Sequence, residues 1–220
     1  MIVTIDGPAG SGKSTAARQL AKALGIAYLD TGATYRAVTL RAMRGGVDLA
    51  DEAALADAAR RMSLAMVPGE QGVLVRLDGE DVSGEIRSEA VSANSRYAAR
   101  SPAVREVLVA LQRRLGRQLG SFVSEGRDQG SVVFPQADVK FYLLADAEVR
   151  ARRRVEQLAR LGQRGDYERI LEGIRQRDAR DRGRSVAPLV CPDGAIVVDT
   201  SGNTIEQTAA ELLRHVEAGR

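Results

Sequence analysis

Tryptophan is absent from the chain and aromatic residues make up only 4% of it, so a core has to be assembled from Ala, Leu, Val and Ile. A single cysteine, Cys191, excludes an internal disulfide and a thiolate metal cluster, and suits a reducing compartment. The one histidine, His215, sits in a C-terminal amphipathic pattern, where a surface or packing role accounts for it. No apolar run approaches the ~20 residues that span a bilayer. The first residues lack the basic stretch of a secretory signal. A cytoplasmic protein with no membrane partner is expected.

Lysine is scarce as well, occurring only at positions 13, 22 and 140, so nearly all the positive charge is Arg. The net charge is only +3, but residues 150–184 hold twelve Arg against six acidic residues. A local excess of this kind handles something anionic, either nucleic acid or the phosphates of a small ligand. A solvated helix face is the plainer explanation of any charge run. What remains is ordinary: 220 residues, 44% apolar and 28% charged, fit one globular domain with an insertion.

Ile2–Asp6 is a β-branched apolar run that leads into a Gly-rich segment and then a helical pattern with Ala16, Leu20, Ala21 and Leu24 on one face, closed by Gly25. Strands are expected at 26–29, Phe122–Glu125, Val139–Leu144 and 195–199. Helices are expected at 31–45, 51–62, 88–100, Pro102–Leu119, 146–161, 166–181 and 203–217. This alternation predicts an α/β fold, a P-loop NTPase-type parallel sheet with helices on both faces. Residues 64–67, the turn 68–72, residues 73–77 and the turn Asp78-Gly79 break the rhythm, and predict a small antiparallel β insertion.

Gly7-Pro8-Ala9-Gly10-Ser11-Gly12-Lys13-Ser14 matches the phosphate-binding loop completely, with a strand before it and a helix after it. Backbone N–H groups of such a loop turn inward around nucleotide phosphates, and the helix N-terminus adds its partial positive charge. Gly7 to Ser14, with Thr15, are thus the expected ATP contacts. Lys13 would reach the β- and γ-phosphates, and the Ser14 hydroxyl would ligate Mg²⁺.

Three readings of that loop compete. A GTPase needs an Asn-Lys-x-Asp base reader after an Asp-x-x-Gly switch; Asp199-Thr200-Ser201-Gly202 stands near the C-terminus and no Asn-Lys-x-Asp exists. A nucleic-acid-binding ATPase would interleave stacking aromatics with its basic surface, but the Arg-rich segment contains only Tyr167. A small kinase with an anionic acceptor fits better. It must neutralise phosphates from two polyanions at one point, which calls for converging arginines rather than a histidine base. Thr31-Gly32-Ala33-Thr34-Tyr35-Arg36 follows the second strand, and Gly126-Arg127-Asp128 follows the strand Phe122–Glu125; open α/β sheets bind ligands at such strand ends. Arg150, Arg153 and Arg154 share a helix face by their spacing and suit a closing lid, and Arg177, Arg180 and Arg184 repeat that spacing further on.

The segments 5–8, 29–36, 78–82, 125–135 and 177–189 resemble, in order and over nearly the whole chain, the bacterial cytidylate kinase family of nucleoside-monophosphate kinases. The resemblance implies transfer of the γ-phosphoryl group of ATP to CMP or dCMP with Mg²⁺, in pyrimidine metabolism. No exposed heptad or long apolar edge suggests a protein partner, so a monomer is expected, and the lack of stacking aromatics among the arginines leads to the expectation of no nucleic acid. The resemblance also implies one kinase domain, with a core at 1–30, 120–148 and 168–220. Residues 31–119 would form the acceptor-nucleotide region, with the β insertion at about 63–84 and a short helical lid at about 149–167. Carried over by position, Arg36 and Arg127 would contact the CMP phosphate, with Thr31 and Tyr35 supporting that pocket. Arg105 and Asp128 would face the cytosine, and Asp181 would take the sugar hydroxyls. Arg177 and Arg184 would bridge phosphates, and Arg153 or Arg154 would cover those of ATP. Lys13, Arg127, Arg184 and Arg153 are the expected catalytic groups. Thr31 stands where the family has serine, and Gln129 stands where it has an apolar residue. A base-contacting serine falls at Arg96 without a gap and at Ser95 after a one-residue shift. Another small acceptor, such as UMP or a metabolite, remains an alternative.

Overall fold

The computed structural model describes residues 1–69, 72–160, 162–184 and 186–219. The tip of the expected turn 68–72 and the last residue of the expected helix 146–161 therefore lie outside the described residues. The described residues form two sheets, one of five strands and one of three. Contacts divide the chain into two compact units, Met1–Ile26 with Val123–Arg220, and Ala27–Phe122.

In the first unit the strands β1 (Ile2–Asp6), β6 (Phe122–Glu125), β7 (Val139–Leu144) and β8 (Ile196–Asp199) run in the spatial order β6-β1-β7-β8. β1 pairs in parallel with β7 from Val3↔Val139 to Asp6↔Tyr142, and β7 pairs in parallel with β8 from Phe141↔Ile196 to Leu144↔Asp199. Val3, Thr4, Ile5 and Asp6 are all fully buried, which is how a central strand covered on both faces reads. Helix α1 (Lys13–Leu24) buries Ala16, Ala17, Leu20 and Ala21 and ends at Gly25 in the left-handed region, as the sequence pattern expects. Against it packs α8 (Ile205–Ala218), which starts from a reciprocal capping box between Thr204 and Gln207. His215 of α8 meets the Phe141 ring edge-on at 6.2 Å, a packing role. Helices α6 (Ala147–Arg160) and α7 (Tyr167–Arg182) pack on each other.

The second unit begins with β2 (Ala27–Asp30) and α2 (Thr31–Arg44), whose first turn is capped by the Asp30 carboxylate accepting from the Ala33 N–H at 3.0 Å. After α3 (Glu52–Arg60), β3 (Leu64–Gly69) and β4 (Gly72–Leu77) pair antiparallel from Leu64↔Leu77 to Gly69↔Gly72. Asp78 and Gly79 both take positive φ, 51° and 92°, and return the chain into β5 (Glu80–Asp81) beside β4. This is the antiparallel unit that the change of texture indicates. α4 (Glu89–Arg100) packs on α2, and α5 (Pro102–Leu119), with Ser101 as cap and proline in its first turn, packs on α3.

Candidate active site

The donor cradle is local in sequence. β1 delivers the chain to Gly7, the loop turns through Gly10 and Gly12 with φ of 79° and 87°, and α1 starts at Lys13 with no side-chain cap. Its first N–H groups are thus left for an anion. The Ser11 hydroxyl donates to the Pro8 carbonyl at 3.1 Å, and the Thr200 hydroxyl, just after β8, donates to the Ser11 carbonyl at 3.1 Å. These bonds hold the loop open around a cleft of about 850 Å³, whose walls include Lys13, Ser14, Arg154, Asn203 and Ile205. Ser14 donates to the Glu125 carboxylate at 2.8 Å.

Lys13 is 5% exposed and donates to the Pro8 carbonyl at 2.6 Å. Burial, then the nearby Arg127 guanidinium, pulls its pKa from 10.5 down to about 7, against the pull of Glu125 and Asp6. Phosphates arriving in the loop would restore the charged form. At pH 8 nucleotide binding should therefore take up a proton, and at pH 6, where Lys13 is already charged, it should take up little. Binding calorimetry at pH 8 in two buffers of different ionisation enthalpy reads this directly; identical heats in both would contradict it.

Beside Lys13 lies a second set of cations. Asp181 on α7 is 3% exposed, and its carboxylate receives Arg127 Nε at 3.0 Å on one oxygen and Arg184 on the other. Arg177 is exposed as a residue, but loss of water around its guanidinium, then the proximity of Arg127, lowers its pKa below the ordinary arginine value. The structure thus brings together Arg127, Arg177, Asp181 and Arg184, next to Lys13.

The loop that carries Arg127 is held from below by a residue the motif alone does not explain. Asp6 accepts the N–H groups of Gln129 (2.8 Å) and Gly130 (2.7 Å), fixing a π turn at Gln129–Val133. Burial raises the Asp6 pKa from 3.8 to about 6, although both N–H bonds work the other way. Gln129 is 1% exposed, and its amide oxygen accepts from Ser124 at 2.8 Å, so a buried hydrogen bond accounts for the polar residue there. Asp128 is buried beside it.

The Arg-rich segment is used differently from its spacing. Arg150 points into the protein, 4% exposed, and pairs with Asp178 rather than sharing an open face with its neighbours. Arg153 donates to the backbone carbonyls of Thr200 and Asn203. Arg154 is exposed on the cleft wall and donates to Gln157 at 2.7 Å. Helical periodicity specifies which residues share a side of α6, but carbonyl acceptors in other segments decide which of them turn inward.

In the second unit Arg36 folds back along α2 to Asp30, its Nη2 donating at 2.9 Å, and Arg87 reaches the same carboxylate at 3.4 Å. A β-carbon at Gly32 would lie 2.8 Å from Arg36 Nη1, so the absence of a side chain there lets the guanidinium settle. Arg36 Nε is buried with no hydrogen-bond partner, an N–H that suits an anion. Arg105, 4% exposed, donates to the Tyr35 hydroxyl at 3.0 Å and lies 5.9 Å from that ring. Thr31 is buried in the first turn of α2, where its carbonyl accepts from Thr34. Of the two candidates for base contact on α4, Ser95 donates to the Ser92 carbonyl at 2.8 Å and Arg96 lies over the Tyr97 ring at 4.9 Å.

A loop built for the polyphosphate of one nucleotide, with further guanidinium groups crowding its lysine, is what a P-loop kinase needs when its acceptor is itself anionic. The family model described as cytidylate kinase matches residues 3–218. The chain belongs to the cytidylate kinase family, the ATP-dependent kinases of CMP and dCMP. It is 48% identical over 213 residues to a cytidylate kinase of Rhodococcus opacus, covering 97% of this chain and 93% of the relative. With a cytidylate kinase of Pelotomaculum thermopropionicum the identity is 48% over 219 residues, covering 99% and 96%. Among solved structures, an uncharacterized protein from Eubacterium ventriosum shares the fold at 14% identity and a TM-score of 0.51, covering 99% of this chain and 98% of its own.

Proposed function

We propose that the protein moves the γ-phosphoryl group of ATP onto CMP or dCMP through the residues assembled around Lys13, acting as a monomer in the cytoplasm on small nucleotides. The observation that carries this reading is the Asp181 carboxylate joining Arg127 and Arg184 beside the P-loop lysine. Lys13 and the loop N–H groups hold the ATP phosphates. Arg127, Arg177 and Arg184 hold the acceptor phosphate and the transferred group, because a planar guanidinium fork matches phosphate oxygens in pairs. Asp181, once the acceptor is bound, takes the sugar hydroxyls, and Asp128 faces the base. In the other unit the buried, unpartnered Arg36 Nε suits a nucleotide phosphate, and Thr31, Tyr35 and Arg105 shape the space around it.

Residues 149–167 act as the lid over ATP. Closing it keeps water, a competing acceptor, from the phosphoryl group. Arg153, which ties the lid helix to the Thr200 and Asn203 carbonyls, fixes its base. The donor set fits Mg²⁺: the Ser14 hydroxyl, held by the Glu125 carboxylate, is one oxygen ligand for an ion that keeps waters and phosphate oxygens for the rest. The bound ion would neutralise developing phosphate charge. The single cysteine suits a reducing compartment.

Coupled ADP-release assays with CMP, dCMP, UMP, AMP and single-stranded DNA test the reading. Turnover with CMP and dCMP supports it, and stimulation by DNA alone would replace it with a nucleic-acid-dependent ATPase. In the same assay Asp181→Ala should raise the CMP KM by about tenfold or more, the cost of losing a hydrogen bond to a charged group, with a smaller change in kcat. A native KM would count against sugar binding by Asp181.

A further inference from the structure

The Arg150 side chain spends its donors inside the protein. Nε donates to the Ala145 carbonyl at 2.8 Å, and Nη1 donates to the Ala9 carbonyl at 3.0 Å and to Asp178 Oδ1 at 3.1 Å. Nη2 donates to Asp178 Oδ2 at 2.6 Å, completing a bidentate pair. Both partners are almost fully buried, their side chains 4% and 9% exposed. Such a pair is costly to place in a core and gives little net stability over apolar residues of the same volume. Its geometry offers something apolar residues do not.

Ala9 belongs to the phosphate loop. The Ala9–Gly10 peptide is trans, so the Ala9 carbonyl and the Gly10 N–H point in opposite directions across one planar unit. With the carbonyl fixed on Arg150, the Gly10 N–H is fixed on the far side. A β-carbon at Gly10 would meet the Arg150 stem at 3.4 Å, so the stem runs close beside the loop. At the other end of the pair, Asp178 directly follows Arg177 on α7, three residues before Asp181. One ion pair therefore spans from the donor-phosphate loop to the helix that carries the acceptor-side cluster.

We propose that Arg150 and Asp178 are positioning residues for phosphoryl transfer: a buried strut that holds the Ala9–Gly10 peptide of the phosphate loop in register with the arginines of α7. All three guanidinium nitrogens of Arg150 are spent on protein oxygens, so the strut acts through the groups that hold the nucleotides. It sets the separation between the groups that hold them, and small errors in that separation cost rate rather than ground-state binding. This inference rests on the kinase reading above.

The test is the apolar replacement of the whole pair, Arg150→Met with Asp178→Leu. A pair that served only the core would leave kcat native whatever happened to the melting temperature, and a native kcat overturns the proposal. A strut predicts a melting temperature within a few degrees of native, kcat with CMP lower by about tenfold or more, and KM for ATP and CMP within about threefold. If the double variant does not fold, Asp178→Asn gives the same reading with the shape kept. There, reduced kcat at near-native KM supports the strut, and either native kcat or a loss carried by KM overturns it. Glu148–Arg175, an exposed pair at 2.7 Å between the same two helices, is the control. Arg175→Ala should leave every parameter unchanged. Failure of the native protein to phosphorylate CMP would sink the kinase reading, whereas native-like variants of a protein that does would sink only the strut.

Discussion

Arg127→Ala should lower kcat with CMP by about three orders of magnitude, while ATP alone still binds within about threefold of native. Arg127 Nε holds Asp181 at 3.0 Å, and the guanidinium lies close enough to Lys13 to depress that lysine's pKa. It therefore stands where donor and acceptor charge meet. Transferring a phosphoryl group between two polyanions involves little covalent chemistry for the protein; the rate depends on charges already in place when the transition state forms. On the proposed assignment, ATP alone would bind through the loop N–H groups and Lys13, which the substitution leaves intact and relieves of a like charge. Arg127→Lys should recover little of the loss, because an ammonium does not match the planar fork that spans carboxylate or phosphate. Steady-state kinetics with CMP and calorimetric titration with ATP measure the two halves separately, and unchanged turnover would refute the assignment of Arg127.

Gly7→Ala should be as damaging by a different route. The φ of Gly7 is 144°, and a β-carbon there would lie 2.1 Å from the Leu143 carbonyl oxygen and 3.1 Å from its carbonyl carbon. The clash is with the backbone of β7, so no rotamer change relieves it, and either the loop or the strand must move. Strained backbone and overpacking together place the cost at about 3 kcal/mol or more. Displacement of the loop should also abolish ATP binding in whatever protein remains folded. Urea denaturation with a nucleotide titration reads both effects; a variant with native stability and native ATP affinity would show that the loop tolerates the displacement.

The donor half of the site was legible because it is contiguous. Eight consecutive residues, a strand before them and a helix after them, specify the phosphate cradle without reference to the rest of the chain. The parallel strands and most helix ends followed from periodicity and local end signals, as at Gly25 and at Pro102, because those signals act over one or two turns. The antiparallel unit was visible as a change of texture, and its Asp78-Gly79 turn carries the positive φ values that residue pair accommodates. By contrast, the two-residue strand β5, the short 3₁₀ turn at Glu85–Arg87 and the π turn at Gln129–Val133 carry no comparable local pattern.

The acceptor half was only half legible. The segments with Arg36, Arg127, Arg177 and Arg184 stand out because arginine beside a strand end, or repeated along a helix, suits an anion, and the family resemblance gave them roles. That Arg127 and Arg184 converge on one carboxylate is a contact across 54 residues of chain on one side and three on the other, which spacing does not encode. Composition and local pattern alone indicated a nucleotide-phosphate loop and an arginine excess suited to a second anion. Which arginines stay available and which are consumed inside was decided by tertiary structure: Arg150 goes to Asp178 and the Ala9 carbonyl, and Arg153 to the Thr200 and Asn203 carbonyls. A guanidinium commits its donors to whichever oxygens the fold brings within about 3 Å, and those oxygens belong to residues far away in the chain.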